Sequence, residues 1–360
     1  MSKLKQLFKM MVGMLLVCSG TGLQAQNQPQ GTDAGRISET VRTVSYPEAI
    51  YGHGILPDVD RGFVIHHEIE INQNPDTAMV KMYDATGKRI REGRVWPQGA
   101  GGVRIRRTAA TKDGAILAAG GAILKDGSTP GYIAKTDLAG TTVQSLLTGS
   151  FKPEQICEAP DGTIWSLGKS LSPNDGQEHD TNVLRHFSFE KGLLHSFLPE
   201  TSVSAAVGSS RPWFVPFGSF LRCGKDKVSV YLEFTDEYAE VSLATLELTR
   251  WKLDIAPEWH GNAEGFAVTE DGRVYASFSN IILDGSHRLT GLYQVWARPG
   301  VPNAQLVPVA GTVNISEKYK TLPTGSFIYV WCADGDQLIV KRVDERDLSW
   351  VDVVGAGAPE

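Results

Sequence analysis

AATKDGAILAAGG, residues 109–121, carries a short apolar strand, an Asp-Gly turn and a second, alternating apolar strand. CEAPDGTIWSLGK (157–169), AVTEDGRVYASFS (267–279) and VWCADGDQLIVKR (330–342) follow the same plan, and DVDRGFVIHHEIEI (58–71) and LRCGKDKVSVYLEF (221–234) are looser copies. Asp-Gly between two such strands signals a hairpin. Here it predicts a type I′ turn with positive φ at both central residues, and so at Gly114, Gly162, Gly272 and Gly335.

Around three of these hairpins the pattern extends. A second Asp-Gly follows at Asp126-Gly127, Asp175-Gly176 and Asp284-Gly285, and then come the strands GYIAKTD (131–137), NVLRHFSF (182–189) and GLYQVWA (291–297). After a further turn the fourth strands are TVQSLL (142–147), LLHSFL (193–198) and AQLVPV (304–309). Four strands with turns between them, repeated at this spacing, make one blade of a β-propeller. Six such units fit the chain, and a seventh would need strands inside 199–218 or 309–326. The last unit supplies only three strands, ending at SWVDVV (349–354), so ISETVRTVS (37–45) is expected to complete it and close the ring. The expected fold is all-β, a single propeller over residues 26–360.

Residues 1–25 read as a leader. Lys3, Lys5 and Lys9 precede the apolar run Met10–Val17, and small and polar residues follow to Ala25. That order is the signature of a secretory signal peptide. A lipid anchor on Cys18 is the rival, disfavoured by the bulky Val17 before it. The expectation is a periplasmic or secreted protein without a transmembrane segment. Thirty-five basic and 41 acidic side chains give a net charge of −6, and three of the lysines lie in the leader, so the remainder is more acidic still. Such a balance argues against nucleic acid as partner. Cys157, Cys223 and Cys332 match no zinc spacing and read as small buried residues.

Chemistry is expected on the face built from the loops that lead into the innermost strands. Those loops hold His53, Arg211, Trp213, Trp259 and His260, with Glu264 beside them; Trp96, Arg104, Phe151, Lys152 and Glu154 are placed there too. Aromatic, Arg and His side chains gathered on one rim suit a ligand surface, and the expected ligand is a protein, peptide or glycan. His66-His67 lies mid-strand, so its rings point to opposite faces and cannot share a metal. DGQEHD (175–180) lacks the oxygen spacing of a calcium loop. No standard catalytic motif is present, which favours a binding protein without a cofactor.

NAEGFAVTEDGRVYAS (262–277) resembles the signature shared by NHL-type repeats, gluconolactonase-type propellers and phytase-associated esterase-like propellers, and PDGTIWSLG (160–168) resembles blades of sensor-associated extracellular propellers. In the lactonase-like families a Glu opening an inner strand binds a divalent metal at the channel mouth, and Glu264 matches it. The resemblance therefore implies an alternative, a lactonase- or esterase-like hydrolase using a metal such as calcium to polarise a carbonyl.

Overall fold

The computed structural model describes residues 37–38, 42–44, 55–61, 63–68, 71–84, 88–170, 180–200, 202, 219–233, 235–255, 263–270, 272–281, 287–308, 327–334, 337–344 and 350–356. The described residues all belong to one compact unit, Ala34–Glu360.

That unit is a β-propeller. Strands β1 (Ile37–Ser38) and β2 (Arg42–Val44) precede β3 (Ile55–Asp60), β4 (Phe63–Glu68), β5 (Met79–Tyr83) and β6 (Arg89–Arg94); β3 to β6 pair in that order as the first four-stranded group. The second comprises β7 (Ala100–Ala110), β8 (Ile116–Leu124), β9 (Gly131–Thr136) and β10 (Thr142–Gly149), and the third β11 (Phe151–Glu158), β12 (Ile164–Ser170), β13 (Asn182–Ser188) and β14 (Gly192–Pro199). β15 (Phe220–Cys223), β16 (Lys227–Leu232), β17 (Glu237–Ser242) and β18 (Leu248–Leu253) make the fourth. β19 (Ala263–Val268), β20 (Val274–Ile281), β21 (His287–Trp296) and β22 (Asn303–Pro308) make the fifth. These two share one sheet, because β18 and β22 pair in parallel through Lys252↔Asn303 and Leu253↔Ala304. β23 (Phe327–Asp334), β24 (Gln337–Asp344) and β25 (Trp350–Ala356) form the last group.

The ring closes twice over. The first strands of the groups, β3, β7, β11, β15, β19 and β23, pack each against the next, and β23 packs against β3. β1 and β2 both pair antiparallel with β25, by Ile37↔Ala356 and Arg42↔Asp352 among others. The expected completion of the last blade by residues 37–45 is thus found, in two short pieces.

Packing lies between groups and explains why middle strands lack simple polar alternation. In β8, Ile116 and Ala118 join a core with Ile65, Val80 and Met82 of the first group. Leu117 and Ala119 face the other way, onto Phe151, Ile156 and Ile164 of the third. A strand buried on both faces reads as a continuous apolar run.

The hairpins differ from the expectation in turn type. Gly114, Gly162 and Gly272 take φ of +78°, +80° and +85°, as expected, whereas no positive φ occurs at Asp113 or Asp161. The Thr111 N–H bonds the Ala115 carbonyl at 2.9 Å and the Gly114 N–H bonds the Thr111 carbonyl at 3.0 Å, with the same pair of bonds at 159–163 and 269–273. These are three-residue loops, a type I turn followed by one left-handed glycine, and not type I′. Asp is preferred before the glycine because its carboxylate accepts the N–H two residues on, as Asp161 does from Thr163 at 3.0 Å. Gly335 lies outside the described residues.

Cys157 of β11 and Cys223 of β15 form a disulfide with their Cα atoms 5.7 Å apart. This corrects the reading of both as reduced, buried thiols: innermost strands of neighbouring groups lie close enough for two of the three cysteines to meet.

Candidate functional site

Bulges shape the inner wall. β3, β15 and β23 pair with their second strands in unbroken register. β7, β11 and β19 do not: one residue is skipped at Arg106, at Glu154 and at Glu264, with a further skip at Gly101 of β7. The packing shows the same breaks. Ile105 belongs to the core shared with the first group and Ala109 to the core shared with the third, although four residues apart they would share a face in a regular strand. Phe151 and Ile156, five apart, sit in one core. A bulge turns its extra residue out of the ladder and re-aims it. Gly120 makes room for the one in β7, since a Cβ there would lie 1.9 Å from the Arg104 carbonyl oxygen.

Several residues expected on loops therefore stand on inner strands. Arg104 is on β7, and Phe151, Lys152 and Glu154 are on β11, because these strands begin further up than hydrophobic alternation suggests. Glu264 is the second residue of β19 and the bulged one. His53, Arg211, Trp213, Trp259 and His260 lie outside the described residues, so the gathering expected of them with Glu264 is carried forward as a proposal.

The charges along this wall are unevenly matched. Glu154 pairs with Lys169 at 3.5 Å, and its carbonyl accepts the Arg107 Nε–H at 3.3 Å. Lower on β11, buried Glu158 accepts from Lys135 Nζ at 3.0 Å and from the Lys112 N–H at 2.9 Å, while Lys135 also meets Asp113 at 3.4 Å. Burial works against the Lys135 ammonium, but Glu158 and Asp113 outweigh it and hold its pKa above the usual lysine value. Lys152 has no such help. It donates to the Thr129 carbonyl, and burial lowers its pKa.

Other sequence features have structural roles. His66 and His67 are both buried on β4, with the His66 ring 5.0 Å from Tyr83. From the acidic loop 175–180 only Asp180 is described. Burial raises its pKa, and the Ser196 hydroxyl, Asn182 and Arg185 overcome that to lower it. Arg185 in turn lies 4.4 Å over the Phe151 ring. Among the described residues no group of three or more His, Cys, Asp or Glu is arranged to hold a metal.

A row of rings crosses the third group and was invisible as a motif. Cys157, Trp165, His186 and His195 are successive cross-strand partners from the innermost strand to the outermost. Trp165 stacks on His186 at 4.3 Å and His186 on His195 at 5.6 Å. Among the described residues neither nitrogen of the buried His186 has a hydrogen-bond partner. Its desolvation lowers the pKa below the ordinary 6.5; nearby Asp161 opposes this and His195 adds to it. The unfolded chain therefore binds the proton more readily than the folded one, and stability falls as pH drops through about 6.5. We expect the urea midpoint to decline from pH 8 to pH 5.5 more steeply in the wild type than in His186→Phe, which keeps a stacked ring without a titration. Equal declines would show that His186 does not contribute.

No known family profile and no curated protein matches the chain. Solved structures do. One from Bacteroides fragilis, assigned as an exported protein, is 9% identical with a TM-score of 0.52, over 89% of this chain and 95% of that one. A protein of unknown function from Bacteroides caccae is 13% identical with a TM-score of 0.42, over 72% of this chain and 88% of that one. A luciferin-regenerating enzyme is 11% identical with a TM-score of 0.45, over 88% and 96%. At these identities the likeness is one of fold.

Proposed function

We propose that the protein is an exported binding propeller that recognises a protein, peptide or glycan through the loops above its inner strands. The observation that carries this reading is the set of bulges: Arg106, Glu154 and Glu264 are turned out of their ladders in the upper or middle parts of three inner strands. His53, Arg211, Trp213, Trp259 and His260 precede inner strands of the same ring in the sequence. Trp213 and Trp259 would supply apolar area, with Arg211, His53 and His260 fixing orientation. Export is supported by the leader-like first 25 residues and by the Cys157–Cys223 disulfide, a bond that persists in oxidising compartments.

The test is a glycan array and a displayed-peptide library probed with the wild type and with Trp213→Ala/Trp259→Ala. Loss of binding by about tenfold or more in the variant is expected, matching truncation of two aromatic anchors; equal binding by both overturns the reading. The hydrolase alternative retains one specific support, the bulge at Glu264 at the head of β19. Metal analysis decides it: a stoichiometric divalent ion that disappears in Glu264→Gln would favour the hydrolase, and a metal-free wild type would remove it.

A further inference from the structure

We infer that two copies of this chain associate edge to edge through β10, the outer strand of the second group, as a weak symmetric dimer. This goes beyond the binding role and does not rest on it.

Three observations lead there. The first is an uncovered edge. Around the rim, β18 and β22 pair with each other, and β25 is covered by β1 and β2. The end of β6 is met by the turn before β10, where the Arg94 N–H bonds the Gly140 carbonyl at 2.7 Å. β14 ends in a kink at Leu198, with φ of +61°, and then Pro199, which blunts an edge. β10 is the terminal strand of its sheet, and among the described residues no main-chain bond reaches its outer side. The Trp96 and Gln98 N–H groups approach it only through the Thr142 and Ser145 hydroxyls, at 3.1 and 3.4 Å. Its register slips at Val143 and at Thr148, and residues 144–147 between them are regular.

The second is composition. Residues 138–151 hold no charged side chain, in a chain that is acidic as a whole. A rim strand open to water is ordinarily guarded by charge, as β6 is by Arg89, Arg91, Glu92 and Arg94. Of the seven large hydrophobic side chains exposed among the described residues, Leu138, Val143 and Leu147 fall in this one stretch. Two acidic molecules repel each other least where neither carries charge.

The third is symmetry. Antiparallel pairing of β10 with itself, about a two-fold axis at Ser145, sets Val143 opposite Leu147 of the second copy, and Leu147 opposite its Val143. One operation thus gives both exposed apolar side chains of the strand an apolar cross-strand partner. Two four-stranded sheets then continue as eight strands, as the fourth and fifth groups already do within the chain. The strand is eight residues long, so the contact is small and its Kd is expected in the range of about 10–100 µM.

Sedimentation velocity between roughly 1 and 200 µM protein tests this. We expect the wild type to pass from monomer to dimer across that range. Val143→Glu and Leu147→Lys should each weaken association by about tenfold or more, since a charge then faces an apolar side chain. Both sites are exposed, so the urea midpoints should hold. An equimolar mixture of the two variants should recover the dimer, because the introduced acid and ammonium then face each other. Val301→Lys, exposed on the turn before β22, should associate as the wild type does. A monomer throughout the range, wild-type association in both variants, or a mixture that stays monomeric overturns the pairing. A monomeric wild type whose urea midpoint falls in Leu147→Lys would assign the edge to a segment of the same chain, and overturns it too. Since His53, Arg211, Trp213, Trp259 and His260 lie outside β10, the dimer and the loop-face reading can each fail without the other.

Discussion

Replacing Cys157 and Cys223 together by alanine is expected to lower the free energy of unfolding by about 4 kcal/mol. The bond closes a stretch with a sequence separation of 66 residues, and constraining a loop of that length in the unfolded chain is worth about this much. The figure is large beside the net stability of a domain, about 5–15 kcal/mol. The native side should add little strain, because β11 and β15 are already neighbours and the core around the bond, with Trp165, Leu221 and Val230, is packed. Urea unfolding of the double variant against the oxidised wild type measures the effect, and reductant should bring the wild type down to the variant. A thiol titration in denaturant gives a separate check. No more than two of the four cysteines should react, and four reactive thiols would refute the pairing.

Deleting residues 34–44 should cost about 5 kcal/mol or more, enough to consume most of the margin of an ordinary domain. Among the described residues, β1 and β2 are the only cover on the outer edge of β25, which they meet at Ile37↔Ala356, Ser38↔Gly355 and Arg42–Val44↔Asp352–Trp350. Their loss uncovers a row of unpaired backbone groups and unties the two ends of the ring. An exposed edge invites pairing with another chain, so the truncated protein is expected to associate as well as to unfold earlier. Size-exclusion chromatography and limited chymotrypsin digestion read both consequences. A monomeric, protease-resistant truncation with an unchanged urea midpoint would show that the ring does not depend on this strand. A peptide spanning 34–44, added back, should restore resistance.

The repeating hairpins and the ring closure were legible because each rests on local chemistry. Asp-Gly marks its own turn, and a three-strand final unit asks for a fourth. The turn type was not legible, since a glycine with positive φ serves both a two-residue loop and a three-residue one; only the hydrogen bonds of Thr111, Ala159 and Thr269 tell them apart. The bulges were hidden for a different reason. AGGVRIRRTAA alternates V-R-I-R as a regular strand would, and one inserted residue leaves no trace when both faces of the strand are buried. Arg104, Phe151 and Glu154 were accordingly assigned to loops although they stand on strands. The disulfide depends on distance between blades, which spacing along the chain does not encode. Of His53, Arg211, Trp213, Trp259, His260 and Glu264, only Glu264 is described, as the second residue of its strand.

The parallel contact of β18 with β22 gives the wheel a rim as well as a hub at one place. Strands β15 to β18 and β19 to β22 share a single hydrogen-bond ladder through Lys252↔Asn303 and Leu253↔Ala304, reinforced where the Lys252 N–H bonds the Pro302 carbonyl at 3.0 Å. Two spokes welded at both ends cannot change their pitch independently. Opening fluctuations that separate neighbouring spokes are therefore directed elsewhere around the circumference, and these eight strands should rise and fall together as one block in native-state exchange.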